Sequence, residues 1–230
     1  MEYTWLLLDA DGTLFDYEKA EAAALRTTFE QNLDGFEPYY LRAYQEINAQ
    51  IWLDYERGKL SQEQVKVRRF EQLFQALDIE TDAALFSRRY LVNLGQAADL
   101  IKGAEGIIRA LSKHVDLALI TNGLKDVQRS RLARAGIGDV FEAVIISEEV
   151  GAAKPHPRIF DVAFQRMSHP PKEEVLIVGD SLSSDVKGGS DYGIDTCWYN
   201  PTGRTPDLDV TITYEICDLR QLREIVGIND

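Results

Sequence analysis

Cysteine is scarce in this chain, which has two among its 230 residues, Cys197 and Cys217. Their spacing matches neither a zinc site nor a disulfide framework. Cys197 falls within an apolar run, where a free cysteine behaves as a small hydrophobic side chain. A chain with so few cysteines is typical of a reducing compartment, so we expect a cytoplasmic protein.

Clustered histidines, long apolar segments and an excess of basic residues are also missing. His114, His156 and His169 lie far apart in the sequence, so we assign none of them a metal. No run of about 20 apolar residues could span a bilayer, and we expect no signal peptide. Lys and Arg total 25 against 38 Asp and Glu, a net charge of −13. This balance disfavours broad contact with nucleic acid or an anionic membrane, but an anionic small substrate stays open.

Short apolar runs bounded by polar turn residues predict buried strands. These runs are residues 3–8, 115–120, 143–146, 175–178 and 194–199. Segments with helical spacing lie between these runs, at residues 104–113, 125–135, 157–167 and 183–192. Alternating strands and helices predict an α/β fold with a Rossmann-like parallel sheet and helices on both faces.

The stretch after the first strand is different, because it shows helical spacing and no strand run. Its predicted helices are residues 18–33, 38–57, 62–77 and 82–94. Ser61 and Gln64 have the spacing of a capping box, and Gly58 is placed to end the preceding helix. We therefore expect an all-helical insert, residues 17–98, within a core formed by residues 1–16 and 99–230.

An insert at this point is expected to lie over the carboxyl end of the sheet, where open α/β folds bind ligands. It would act as a lid that excludes water and selects the substrate. The alternative is that these helices simply extend the core. The sequence says nothing about whether the protein is a monomer or a homodimer.

Two carboxylates, Asp9 and Asp11, follow the first strand and lead into a turn at Gly12. Strand side chains alternate faces, so the two acids would point the same way if the strand geometry continued. Two like charges so close repel each other and lose hydration when enclosed, so a cation or a reaction is the usual reason to keep them. The alternative is an ordinary polar turn.

Further polar groups stand at the ends of the later strands. Thr121-Asn122-Gly123 offers a hydroxyl, backbone N–H groups and a helix start, which suit a phosphate oxygen, or else form a helix cap. Lys154, before Pro155, offers a positive charge for phosphate or carboxylate, or else is a solvated surface lysine.

The fourth strand leads into Gly179-Asp180-Ser181, with Asp185 about one helical turn later. This segment looks like acidic metal ligation with support, or else another helix cap. Because the carboxyl ends of parallel strands meet at one edge of the sheet, all these groups are expected around one crevice.

Together these segments resemble the haloacid dehalogenase-like superfamily of phosphohydrolases. Its four signature pieces are matched by DADGTLFD, TNG, the lysine of AKP, and GDSLSSD, between residues 9 and 185. The first and fourth pieces are specific, whereas the other two are weak alone. The position of the helical insert matches the type-1 cap of this family.

The resemblance implies a role for each acid. Asp9 would be the nucleophile that forms an aspartyl-phosphate, and Asp11 the general acid and then the general base. Mg²⁺ would be held by Asp9, the backbone carbonyl of Asp11 and Asp180, with Asp185 in support. Oxygen ligands of this kind are those Mg²⁺ prefers, often together with a substrate phosphate.

The resemblance also implies that Thr121, the Asn122 backbone and Lys154 hold the phosphoryl oxygens. The four acids carry −4 and Lys154 carries +1, so Mg²⁺ brings the total to −1 and a proton on Asp11 brings it to zero. The dehalogenating branch of the superfamily lacks an acid at the position of Asp11, because it has no ester oxygen to protonate. Asp11 therefore favours phosphoryl transfer.

The substrate is less well defined by the sequence. Residues 51–58, 146–151 and 196–200 are similar to a branch of bacterial house-cleaning pyrimidine 5′-nucleotidases, which implies nucleoside monophosphates as substrates. Aromatic residues of these segments could stack on a base, although Tyr44, Trp52 and Tyr55, at helical spacing, fit a helical core better. The alternatives are a phosphatase for a sugar phosphate or phosphoglycolate, and a binding protein that has lost its chemistry.

Overall fold

The computed structural model describes residues 3–33 and 35–228. Within them, six strands form one fully parallel sheet in the order β3-β2-β1-β4-β5-β6. The strands are β1 Trp5–Leu8, β2 Asp116–Thr121, β3 Ala143–Ile146, β4 Val175–Gly179, β5 Asp195–Tyr199 and β6 Tyr214–Ile216. The expected α/β fold class is confirmed, and β6 is a short edge strand that the sequence did not predict.

The central strand β1 pairs with β2 on one side and β4 on the other. Its side chains from Leu6 to Leu8 are fully buried, which accounts for its uninterrupted apolar sequence. On one face of the sheet, Leu7 and Ile177 belong to the same core cluster as Phe160 of a later helix. Burial of each such side chain stabilises the fold by roughly 1.5–3 kcal/mol.

After the insert, the chain forms six α-helices and one π-helical turn among the described residues. The α-helices are α5 Ala104–Leu111, α6 Lys125–Ala135, α7 Ser147–Val150, α8 Pro157–Arg166, α9 Lys187–Tyr192 and α10 Leu222–Ile225. The helix predicted at residues 183–192 is instead a π-helical turn, Leu182–Val186, that continues into α9. The short helices α7 and α10 were not predicted.

The insert contains four helices and no strand among its described residues. They are α1 Tyr17–Asn32, α2 Pro38–Glu56, α3 Gln62–Leu77 and α4 Ala83–Gln96. The capping box of Ser61 and Gln64 is confirmed, with both of its hydrogen bonds formed. Tyr44 is fully buried and stacks on Phe70 at 5.5 Å between ring centroids, so it is a core residue of the helices.

The chain divides into two compact units. The first contains residues up to Asp16, Asp99–Lys125 and everything from Ala135 onwards; the second contains Tyr17–Ala98 together with Asp126–Arg134. Most of α6 is thus grouped with the helical unit, where Ser130 Oγ donates to the Gly95 carbonyl at 2.7 Å. That the insert closes over the sheet as a lid stays a prediction.

Two further features concern the cysteines and the length of the helices. Both cysteines are free thiols, Cys197 buried and Cys217 exposed. Within the described parts of the chain, none of the helices combines the length and the apolar character needed to cross a membrane.

Candidate active site

Three carboxylates meet at the carboxyl edge of the sheet. Asp9 follows β1 and Asp180 follows the neighbouring strand β4, while Asp185 lies in the π-helical turn. One carboxylate oxygen of each lies within 4.8 Å of the others. Asp9 and Asp185 are buried, with 6% and 1% of their surface exposed. The parallel pairing explains this meeting, because the Asp9 amide donates to the Val178 carbonyl at 2.9 Å and extends the ladder past β1.

A buried lysine joins this cluster. Lys154 is only 1% exposed, so the interpretation as a solvated surface lysine is wrong. Its ammonium group donates to Asp9 Oδ1 at 2.5 Å, to Asp185 Oδ1 at 2.6 Å and to the Ile120 carbonyl at 2.9 Å. A buried charge requires partners of this kind. Lys154 therefore binds the acids of the site, and its contact with a phosphate stays a prediction.

The crowding of these charges shifts their proton affinities. Burial, together with the nearby carboxylates of Asp185 and Asp180, raises the pKa of Asp9 well above its ordinary value, although Lys154 opposes the shift. Burial and the neighbouring Asp185 raise the pKa of Asp180 to about 7. Burial alone would lower the pKa of Lys154, but the carboxylates of Asp185 and Asp9 raise it above its usual value.

Two glycines make room for the acids. Gly12 has a φ of +85°, and a Cβ atom there would lie 2.6 Å from Asp180 Oδ2. A Cβ on Gly179 would lie 2.2 Å from Asp185 Oδ2. Any larger residue would therefore displace a carboxylate of the cluster. The glycine turn after Asp9 thus serves the site as well as the chain reversal.

Asp11 stands in this turn and is partly exposed. The turn is closed by hydrogen bonds from the Leu14 and Phe15 amides to the Ala10 carbonyl, at 2.9 and 2.8 Å. The carboxylate of Asp11 is not one of the three clustered acids among the described residues. The different catalytic roles expected for Asp9 and Asp11 stay a prediction.

The Thr121-Asn122-Gly123 segment lies beside Lys154. Thr121 is buried at the end of β2, and its hydroxyl accepts the Gly123 amide at 3.0 Å. Helix α6 begins at Lys125, as predicted, and has no side-chain cap, so the alternative that this segment caps the helix is wrong. The Asn122 side chain donates to the Lys154 carbonyl at 2.9 Å and accepts from the Lys154 amide at 2.7 Å. Asn122 therefore holds the backbone that carries Lys154.

Of the two interpretations drawn for the segment around Asp185, the structure shows the cap, and metal ligation stays a prediction. Asp185 Oδ2 accepts the Ser181 amide at 3.1 Å while its Oδ1 accepts from Lys154. The Ser181 hydroxyl accepts the Ser184 amide at 3.2 Å as a cap of the turn. The π-helical turn thus aims Asp185 back at the lysine, and such turns are frequent at functional sites.

Sequence reasoning missed residues that hold the backbone of Asp180. The Asp180 amide donates to Thr13 Oγ1 at 3.1 Å, and the indole of Trp198 donates to the Asp180 carbonyl at 3.0 Å. Trp198 is fully buried, so it is not an exposed platform for a base. A tryptophan inside an apolar strand carries no sequence signal for this role.

The donor set fits a hard divalent cation. Three acids and one lysine leave the clustered side chains net negative when ionised, and carboxylate oxygens are the ligands that such cations prefer. Burial is the main cause of the raised pKa values of Asp9 and Asp180, and the neighbouring carboxylates add to it.

Comparison with known proteins agrees with this geometry. The model of the haloacid dehalogenase-like hydrolase family matches residues 3–193. A magnesium-bound crystal structure of the HAD-hydrolase YfnB from Bacillus subtilis superposes with a TM-score of 0.94 at 36% identity, covering 99% of this chain and 100% of that one.

Two further relatives carry an activity in their names. The pyrimidine 5′-nucleotidase YjjG of Escherichia coli is 31% identical over 226 residues, which are 98% of this chain and 99% of YjjG. The pyrimidine 5′-nucleotidase PynA of Streptococcus pneumoniae is 32% identical over 234 residues, covering 100% of this chain and 97% of PynA. The chain therefore belongs to the haloacid dehalogenase-like hydrolase family, and it is a phosphohydrolase.

Proposed function

We propose that this phosphohydrolase is a Mg²⁺-dependent 5′-nucleotidase that acts on pyrimidine nucleoside monophosphates through an aspartyl-phosphate on Asp9. The observation that carries the proposed chemistry is the buried Asp9 carboxylate, fixed by Lys154 at 2.5 Å within a cluster of three acids. Burying a carboxylate is costly, and nucleophilic catalysis together with metal binding is a reason for it that the fold alone does not supply.

The metal would be bound by Asp9, Asp180 and the backbone carbonyl of Asp11, with Asp185 in support. Bound there, Mg²⁺ would offset the negative charge of the site and attract a substrate phosphate oxygen. Asp185 is placed for support because it accepts from Lys154 and from the Ser181 amide at the same time.

In the first half of the reaction, a carboxylate oxygen of Asp9 attacks the phosphorus atom and the bond from phosphorus to the ester oxygen breaks. Asp11 gives its proton to that oxygen, which leaves as an alcohol. The ionised Asp11 then takes a proton from water, whose oxygen attacks the phosphorus of the aspartyl-phosphate. Inorganic phosphate leaves, and Asp9 and protonated Asp11 are restored. A positioned acid and base of this kind contribute roughly 10²–10⁴-fold in rate.

Lys154 favours the ionised form of Asp9 and orients it for this attack. Its positive charge opposes the effect of burial on Asp9, which otherwise favours the protonated and unreactive acid. Thr121 and the Asn122 backbone, at the end of β2, together with Lys154 would hold the phosphoryl oxygens. Asn122 links these groups, since its side chain binds both the backbone amide and the carbonyl of Lys154.

The nucleotidase assignment is supported by the names of YjjG and PynA, which align with nearly all of this chain. It is tested by measuring phosphate release from purified protein with a panel of nucleoside monophosphates, sugar phosphates and phosphoglycolate, each compared by kcat/KM. We expect the highest values for pyrimidine nucleoside monophosphates. A clear preference for a sugar phosphate or phosphoglycolate would contradict the substrate while leaving the mechanism intact. Parallel assays of Asp9→Asn show whether the activity belongs to this protein.

A further inference from the structure

The backbone of Asp180 is held by side chains from three other segments. Thr13 accepts its amide, and both Trp198 and Arg204 donate to its carbonyl, with Arg204 Nη2 at 2.9 Å. Two N–H donors thus use both lone pairs of one carbonyl oxygen. A carboxylate on so firmly held a backbone keeps its direction, which a metal site requires.

Arg204 lies in an exposed loop after β5, and the buried side chain of Asn200 binds its backbone. Asn200, 1% exposed, donates to the Arg204 carbonyl at 2.9 Å and accepts the Arg204 amide at 2.9 Å. The same Asn200 amide group donates to Glu215 Oε1 at 2.7 Å, which ties this turn to strand β6. The turn that carries Arg204 is therefore stabilised by the hydrogen bonds of the buried Asn200 side chain.

The guanidinium of Arg204 also lies over the indole of Trp198, with its central carbon 5.6 Å from the ring centroid. The buried Trp198 and the exposed Arg204 thus support each other through a cation–π contact while both bind the same carbonyl. An arginine whose only task was solubility would need neither contact.

We propose that Arg204 is a positioning residue for Asp180, which keeps the carboxylate of that residue directed into the metal site. The inference rests on the proposed function, because it takes Asp180 as a metal ligand. Arg204 has two opposite effects on a bound cation. Its hydrogen bond steadies a ligand, whereas its positive charge repels the cation. Because Arg204 is exposed and screened by solvent, the hydrogen bond is expected to dominate.

The test is the equilibrium affinity of the metal-free protein for Mn²⁺ alone, measured by electron paramagnetic resonance without substrate. Arg204→Met keeps a stem that can pack on Trp198 but removes the donors and the charge. We expect its affinity to fall about tenfold, as is usual for a group that orients a metal ligand. Arg204→Lys keeps a donor and the charge but loses the planar contact with Trp198, so we expect a smaller loss, of about threefold. Arg158→Ala, which removes an exposed arginine of α8, is the control for net charge and should bind as the wild type does.

Unchanged or tighter Mn²⁺ binding by Arg204→Met would overturn the inference, because the charge would then outweigh the hydrogen bond. If methionine prevents folding, Arg204→Gln is a second neutral variant with the same expected weakening. Asp180→Asn separates this inference from the proposed function. If Asp180→Asn binds Mn²⁺ as tightly as the wild type, the metal site itself is wrong. If it loses binding while Arg204→Met does not, the role of Arg204 alone is wrong.

Discussion

Lys154 and Asp9 form a buried ion pair, with 2.5 Å between the ammonium nitrogen and Oδ1. The pair joins the loop between α7 and α8 to the end of β1, although the two residues are 145 positions apart in the chain. The ion pair has two roles, since it stabilises this edge of the sheet and orients the proposed nucleophile. The two roles can be separated by experiment.

Loss of the lysine is expected to cost stability. Lys154→Met leaves Asp9 and Asp185 buried without their cation, and breaking such a pair on one side costs about 3–5 kcal/mol. We expect a loss of that order in the free energy of unfolding, measured by urea denaturation of metal-free protein at pH 8. At pH 5 the loss should be smaller, because the stranded Asp9 carboxyl, whose pKa is raised by burial, can take up a proton.

Lys187→Met is the matched control for this change. Lys187 also pairs with an aspartate, Asp191, at 2.5 Å, but both side chains are about half exposed. Surface pairs contribute little, so this variant should unfold close to the wild type. Equal stability of the two lysine variants would show that the buried pair does not support the fold.

Metal affinity is expected to depend on pH through Asp180. The pKa of its carboxyl, raised to about 7 by burial and by Asp185, means that a proton occupies it below that pH. A cation must displace this proton, so its affinity falls as the pH falls. We expect Mg²⁺ to bind about tenfold more weakly at pH 6 than at pH 8, measured by calorimetry. Equal affinity at the two pH values, with the fold intact by circular dichroism, would contradict this ionisation.

Alanine variants of Gly12 and Gly103 separate two effects of adding a Cβ atom, namely backbone strain and a clash with the carboxylates of the site. Gly12 and Gly103 have nearly the same backbone, with φ of +85° and +87°, but only at Gly12 would a Cβ meet another residue, the carboxylate of Asp180. Alanine at either position costs on the order of 1 kcal/mol for the left-handed backbone.

Only Gly12→Ala should also weaken Mg²⁺ binding and phosphatase activity, by at least about tenfold, because it pushes Asp180 aside. Urea denaturation measures the loss of folding stability expected in both variants. Calorimetry and phosphate-release assays measure the loss of Mg²⁺ binding and of activity expected only for Gly12→Ala. Similar loss of activity in both alanine variants would mean that Gly12 matters for the turn alone.

Much of the core was predictable because its strands are buried on both faces. Residues 117–120 and 175–178 are continuous apolar runs, and the predicted strands that contain them became β2 and β4 almost unchanged. The edge strand β6 was not predictable, since Tyr214–Ile216 is three residues long and only partly buried. The π-helical turn at Leu182–Val186 was not predictable for another reason. Its residues have the spacing of an α-helix, and its wider turn goes with the contacts that Asp185 makes with Lys154 and the Ser181 amide.

The site was predictable in its acids and less so in its support. Asp9 and Asp180 stand at the ends of obvious strands, so parallel pairing alone brings them together. The burial of Lys154 could not be read from the sequence, because a lysine before a proline looks the same in a surface loop. The hydrogen bonds of Trp198 and Arg204 to the Asp180 carbonyl depend on where the chain turns after β5, which no local pattern records.

The most direct test of the account is phosphate release from a generic aryl phosphate by Asp9→Asn in the presence of Mg²⁺. Asparagine has nearly the same shape but no nucleophilic oxygen, so we expect a loss of at least about 10³-fold in kcat. Asp207→Asn, which neutralises an exposed acid of the loop after β5, should keep wild-type activity. Near wild-type release by Asp9→Asn would contradict the assignment of Asp9 as the nucleophile and with it the proposed mechanism.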